Sequence, residues 1–412
     1  MTGTLPGRGR TLLHRSRLLG PAFVAAVAYV DPGNVATNTS AGAGYGYLLV
    51  WVLVGATLVA GLVQYLSAKV GLVTGRSLPE LVGSRTRRGP RIAYWVQAEL
   101  VAVATDLAEI IGGAVALHLL FDLPLIIGAL ITTAVSTSLL IIQNRTGQRD
   151  FERVISGLLA VVTLGFLAGL FVRPPDPAAM VAGLVPRLHG TESARLAVGM
   201  LGATVMPHVV YLHSALVRDR HGPVGRDRLP GLMRATRIDV GLAMGVAGAV
   251  NLGMLLLSAS SLFGREVTGL DGAYRALAVQ LGPVIAALFA VALLASGLAS
   301  TSVGGYAGSV IMAGLLRRRI PILVRRLLTA IPALIVLGLG WDPTQLLIWS
   351  QVILSFGIPF ALIPLVRIAQ DRTLLGAAPT RPLTIVVAWV IVGLVVALNV
   401  LLLVLTATDA LR

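Results

Sequence analysis

The sequence predicts an all-α polytopic membrane protein of about 11 transmembrane helices, arranged as an inverted five-plus-five repeat with broken helices 1 and 6 and one helix added at the end. Three observations carry that expectation. The chain of 412 residues is 56% hydrophobic and only 12% charged, a balance too apolar for a surface that water must hydrate. Apolar runs recur that are long enough to cross a hydrocarbon core of about 30 Å at roughly 1.5 Å per residue. Two of these runs are interrupted in their middles, by Asp31-Pro32-Gly33-Asn34 and by Met206-Pro207-His208.

Window hydropathy places the spans at 19–42, 47–72, 92–117, 123–143, 152–172, 195–217, 235–262, 283–314, 321–340, 343–368 and 382–406. Repeat one is 19–172, repeat two is 195–368, and 382–406 is the extra helix of a single membrane domain, 19–406. The two breaks lie five spans apart, so the second sits on a segment of opposite orientation, as an inverted repeat requires. Proline removes a backbone donor and glycine relaxes the chain. Unwound backbone at membrane depth is tolerable only around a buried site, and broken helices of this kind mark binding sites in carriers.

The net charge of +15 is nearly all arginine. On a soluble chain it would point to nucleic acid; here the arginines sit in short loops on one side of the spans, which excludes that reading and sets orientation. Arg76 to Arg91, Arg145 to Arg153, Arg218 to Arg237, Arg317 to Arg326 and Arg367 to Arg381 fall inside, whereas the opposite loops carry few. Residues 1–18, with Arg8, Arg10, Arg15 and Arg17, read as a retained cytoplasmic tail, and 407–412 as an extracytoplasmic one, on a multi-pass protein of the inner membrane. Cysteine is absent, so disulfides and thiolate ligands are excluded. No cofactor and no obligatory protein partner is implied; membrane lipid surrounds the chain.

Asp31 stands near the centre of an apolar span, where an ionised carboxylate costs several kcal/mol unless a cation offsets it. The competing reading is a helix cap, which its place before Pro32 allows. Asn34 adds a second oxygen ligand. Met206 alone is ordinary core filler, but set opposite Asp31 and Asn34 its thioether completes a mixed set of hard oxygens, freed carbonyls and one softer sulfur, suited to Mn²⁺ or Fe²⁺ rather than to Mg²⁺ or Ca²⁺. Gln64, Asn251 and Gln351 read as amides bonding helix to helix, with Gln351 able to reach a central cavity. On the third span Glu99, Asp106 and Glu109 share one helical face, either as a proton route or as acids neutralised by Arg325 or Arg326 to hold helices together. His208 and His213 point to different faces, against a shared metal; His208 is either a proton carrier or a satisfied core residue. Gly241, Gly245 and Gly248 read as close helix packing, and Gly42 to Gly46 as a flexible turn.

These residues resemble the Nramp family of proton-coupled divalent-metal transporters, in particular its bacterial manganese branch. Asp31-Pro32-Gly33-Asn34 resembles the first-helix signature, and Met206-Pro207-His208 with Leu212-His213-Ser214 the sixth-helix one. Thr105 to Glu109, Arg325-Arg326, Ser350-Gln351 and Pro359-Phe360-Ala361 follow in order, so the likeness runs from about 19 to 405. The resemblance implies a LeuT-like fold in which Asp31, Asn34 and Met206, with the carbonyls of Ala28 and Ala203, ligate the ion, and Gln351 joins in an occluded state. It also implies a proton pathway of His208, Glu99, Asp106, Glu109, Arg325 and Arg326, with Asp31 linking the two. Val209, Leu298 and Ser309 depart from the family pattern. The expected function is a proton-coupled importer of Mn²⁺, also carrying Fe²⁺ and other divalent transition metals, that works by alternating access and is not an enzyme. The alternatives are a magnesium carrier of related fold, which gains nothing from a thioether; a sodium-coupled amino-acid carrier, whose substrate Asp31 would repel; and an intramembrane aspartyl hydrolase using Asp31 with Asp106.

Overall fold

The computed structural model describes residues 20–410 except 147, 266, 268, 319 and 377, so the predicted tail 1–18 and its arginines lie outside the described residues, as do 411 and 412. Among the described residues every regular element is a helix. The first predicted span is α1 (Pro21–Ala28) and α2 (Pro32–Tyr45), followed by α3 (Val50–Thr74), α4 (Leu78–Arg85), α5 (Arg88–Phe121), α6 (Leu125–Thr146), α7 (Gln148–Val172) and α8 (Pro177–Ala182). The sixth predicted span is α9 (Gly190–Thr204) and α10 (Pro207–His221). Then come α11 (Leu229–Ser261), α12 (Gly269–Leu281), α13 (Pro283–Leu315), α14 (Ile322–Gly338), α15 (Pro343–Gln370) and α16 (Pro382–Ala410). Among the described residues 8 segments are long and apolar enough to cross a membrane, α9 and α10 counting together. The first, fourth and ninth predicted spans correspond to α1 with α2, to α6 and to α14.

Proline explains many of the starts. α1, α2, α10, α11, α13 and α15 each carry it in the first turn, where the missing N–H is one the helix would not have bonded. Three helices escape a hydropathy reading because they are short or amphipathic: α4, α8 and α12. The first of them opens on a capping box in which Ser77 and Glu80 satisfy each other's backbone donors.

Large apolar side chains such as Leu58, Leu164, Leu327 and Val390 point outward, the placement lipid rewards and water does not. Inside, α13 lies along α5 and α7, and α9 along α15. The glycines of α13 make that approach possible: a Cβ on Gly297 would press on the backbone of Gly113, and one on Gly165 of α7 would meet Leu288 and Ala292. Two expectations need correction. Gly42 to Tyr45 are the last turn of α2 rather than a flexible turn, and only Gly46 leaves the helix, at φ 58°. Of the α11 glycines, Gly248 packs on Thr57, but Gly241 and Gly245 face outward with nothing near them.

Candidate metal site and proton route

Both helix breaks follow from the same arithmetic. An α-helical carbonyl bonds the N–H four residues on; four residues after Ala28 stands Pro32, and four after Ala203 stands Pro207. Neither proline has an N–H to give, so the carbonyls of Ala28, at the end of α1, and of Ala203, one residue before the end of α9, lose their helical donors at membrane depth. The next carbonyls on the first break are tied elsewhere: Tyr29 O accepts from Asn251 Nδ2 at 2.7 Å, and Val30 O from the Ser296 hydroxyl. Those two bonds, from α11 and α13, hold the break open.

Asp31 lies at the start of α2, fully buried. Its Oδ1 accepts the backbone N–H of Asn34 at 2.8 Å and the Asn34 side-chain amide at 2.6 Å; its Oδ2 accepts from Gln351 Nε2 at 2.9 Å. The capping role is therefore real, and every partner is neutral. Asn34 Nδ2 also donates to Ala203 O at 3.0 Å, so one amide spans the carboxylate of the first break and the freed carbonyl of the second. Around it, Asn34 Oδ1 and Gln351 Oε1 are buried with no donor. An amide turned about its terminal bond exchanges its nitrogen for that oxygen, so each of the two amides can present oxygen where it now presents N–H.

Gln351 joins both breaks through glycine. A Cβ on Gly33 would run into the Gln351 side chain, and one on Gly202 would run into its carbonyl. Gln351 is thus placed on both α2 and α9, where only its reach to a cavity had been legible. Met206 is fully buried as the N-cap residue of α10, three positions beyond Ala203, and makes no capping bond. Among the described residues no group of three or more His, Asp or Glu side chains is arranged to hold a metal.

Beside the breaks, Gly112 of α5 packs directly on Pro32, and the acidic face of α5 begins there. Glu109 is fully buried with neither oxygen hydrogen-bonded; the Ser300 hydroxyl donates instead to Ser296 O at 2.8 Å. Glu109 and Asp106 both lie against Gly304, at 3.0 and 3.4 Å from where its Cβ would stand. Asp106 accepts from Arg326 Nη1 at 2.9 Å, and Arg326 Nη2 reaches Ser136 at 2.9 Å. Glu99 pairs with Arg325 at 3.0 Å. Each arginine has its own acid, and Glu109, between these pairs and the metal side, has none. Arg325 lines a cavity of about 310 Å³ with Glu80, Arg218, Tyr306 and Ser309, which opens the row toward the arginine-rich end; nothing in the sequence marks this cavity, and Ser309, a departure from the family pattern, lies on it. His208 approaches Thr105 at 3.4 Å through Nδ1, while His213 meets Gln64 of α3 at 2.7 Å. The two histidines do face different helices.

A profile of the Nramp family, described as natural resistance-associated macrophage protein-like, matches residues 22–405. The chain belongs to the Nramp family. It is 58% identical over 409 residues to the divalent metal cation transporter MntH of Mycobacterium tuberculosis, covering 98% of this chain and 96% of that one. A crystal structure of the Eremococcus coleocola manganese transporter superposes with a TM-score of 0.85 at 29% identity, covering 97% of this chain and 88% of that one. The LeuT-like architecture extends further: Mhp1, a nucleobase-cation-symport-1 family transporter, aligns at a TM-score of 0.61 and 15% identity over 89% of this chain and 81% of its own, a likeness of fold alone.

Proposed function

We propose that this chain is a proton-coupled secondary transporter that imports Mn²⁺, and also Fe²⁺ and other divalent transition metals, across the inner membrane by alternating access. One observation carries the reading: a fully buried carboxylate, Asp31, whose partners are all neutral amides, one of which also holds the proline-freed carbonyl of Ala203. A dication supplies the charge that nothing else there supplies. The names of the two relatives above, a divalent metal cation transporter and a manganese transporter, support the same cargo. Asp31, Asn34, Met206 and the carbonyls of Ala28 and Ala203 bind the ion, with Gln351 completing the shell when the site closes. The metal is cargo, and no resident cofactor is needed. Eleven crossings with the N-terminus cytoplasmic, in one domain over 19–406, accord with the arginine-rich loops.

Protons take the face of α5. Among the described residues Glu109 has no ion-pair partner of its own, and it lies with Asp106 against Gly304, beside the Asp106–Arg326 pair. A proton passed from Asp31 or His208 to Glu109 continues along the Asp106–Arg326 and Glu99–Arg325 pairs to the cavity at Arg325. The hydrolase alternative is disfavoured because Asp106 is bonded to Arg326 rather than turned to Asp31.

The test is metal flux into proteoliposomes containing a pH dye, across Mn²⁺, Mg²⁺ and Ca²⁺. Mn²⁺ entry with internal acidification is expected; Mg²⁺ entry of equal rate, or Mn²⁺ entry without acidification, overturns the proposal. Two variants refine it. Met206→Ala keeps Mn²⁺ uptake and admits Ca²⁺, since removing sulfur removes the preference for softer ions; unchanged exclusion of Ca²⁺ contradicts the role. Glu109→Gln binds Mn²⁺ with wild-type affinity in calorimetry yet loses metal-driven acidification by about tenfold or more, because an amide takes up no proton. Acidification at the wild-type rate removes Glu109 from the path.

A further inference from the structure

At the arginine-rich end of the bundle, α3, α11 and the segment leading into α16 line a second cavity of about 470 Å³. Its charged lining is entirely cationic: Lys69, Arg237 and Arg381, with Tyr65 and Thr380 as neutral donors. Lys69 is only 4% exposed, and its ammonium donates to the Thr380 hydroxyl at 2.9 Å. Arg237 lies over the Tyr65 ring at 5.4 Å and donates to its hydroxyl at 3.2 Å. Among the described residues none of the three cations forms an ion pair. Asp239, two residues beyond Arg237, is turned away and accepts the backbone N–H groups of Gly20 and Ala22 at 3.1 and 3.0 Å. A buried ammonium beside two guanidinium groups and no carboxylate is costly unless an anion enters.

The cavity continues into an apolar furrow. Leu58, Leu62, Tyr65 and Lys69 recur on one face of α3, and Met233, Arg237, Gly241 and Gly245 on one face of α11. The helices are antiparallel, Thr57 meeting Gly248 and Tyr65 meeting Arg237. Between those contacts Gly61, Gly241 and Gly245 have nothing within 4 Å of where a side chain would begin, and Leu58, 72% exposed, stands at the rim. A cationic pocket at the membrane edge that opens onto an apolar channel along the lipid-facing surface has the form of a charged headgroup joined to an acyl chain.

We propose that this is a binding site for an anionic phospholipid, with its phosphate held by Lys69, Arg237 and Arg381 and one acyl chain lying over the glycines. The orientation proposed above assigns it to the cytoplasmic leaflet. Protein purified in mild detergent and offered phosphatidylglycerol or phosphatidylcholine is weighed by native mass spectrometry. Retention of one phosphatidylglycerol is expected, with phosphatidylcholine lost. Arg237→Gln and Arg381→Gln, both at exposed positions, each lower retention about fivefold, while their lipid-free melting temperatures match the wild type. Equal retention of both lipids, or unchanged retention in the double variant, overturns the site. Thermal stabilisation by inorganic phosphate or glycerol phosphate equal to that by the lipid overturns the lipid assignment in favour of a free anion. No metal is present in these measurements, so their failure leaves the transport reading standing, and loss of Mn²⁺ flux leaves this one standing.

Discussion

Asp31→Asn abolishes Mn²⁺ uptake and weakens Mn²⁺ binding by about 3–5 kcal/mol, the cost of removing one partner from a buried charge pair, or roughly two to four orders of magnitude in Kd. The substitution separates the two roles the carboxylate holds. As a cap, asparagine serves as well as aspartate, since its side-chain oxygen still accepts the N–H of residue 34 and the ranking of the two at this position is nearly equal. As a ligand, it brings a dipole where the dehydrated dication needs a charge. The melting temperature in the absence of metal therefore stays close to wild type, while calorimetric Mn²⁺ binding and radiolabelled uptake in proteoliposomes are lost. An unfolded variant would show that capping dominates; a folded variant that transports at the wild-type rate would remove Asp31 from the site.

The backbone of this site was more legible in the sequence than its side-chain partners. A proline beside an acid or a methionine inside a long apolar run announces a break, and the separation of the two breaks by an odd step of five spans gives the inverted repeat. The carbonyls of Ala28 and Ala203 came from family resemblance, although the spacing of four to Pro32 and Pro207 contains their physical reason. What sequence alone did not yield depends on how helices meet. Gln351 is one isolated amide among several until α15 is seen against Gly33 and Gly202. The assignment of Arg325 to Glu99 and Arg326 to Asp106 needs the rotation of α14 about its axis, which no local pattern fixes. The small-residue spacing of Gly241 and Gly245 was misread as packing because glycine permits close approach without requiring it; on an outward face the same residues leave a furrow. Ser77 and Glu80, by contrast, carried a readable signal for α4 that hydropathy alone passes over.

Arg326→Met is expected to lower stability by about 3–5 kcal/mol, because it strands Asp106 without its partner in a place where water does not reach. Arg326 is 1% exposed and Asp106 2%, and the guanidinium bridges Asp106 and Ser136 at 2.9 Å each, so α14 is fixed to α5 and α6 through one side chain. Replacing a buried pair by uncharged groups of similar volume is often close to neutral, since two desolvation costs vanish with the attraction. The double variant Asp106→Asn with Arg326→Met should then regain most of the lost thermal stability, a coupling read directly from a double-mutant cycle. Stability and proton movement part company at that point. If the pair only clamps helices, the restored double variant also restores metal-driven acidification in proteoliposomes. If the pair carries protons from Glu109, as its position between Glu109 and Arg325 implies, the double variant is stable, binds Mn²⁺ and still fails to acidify the vesicle interior.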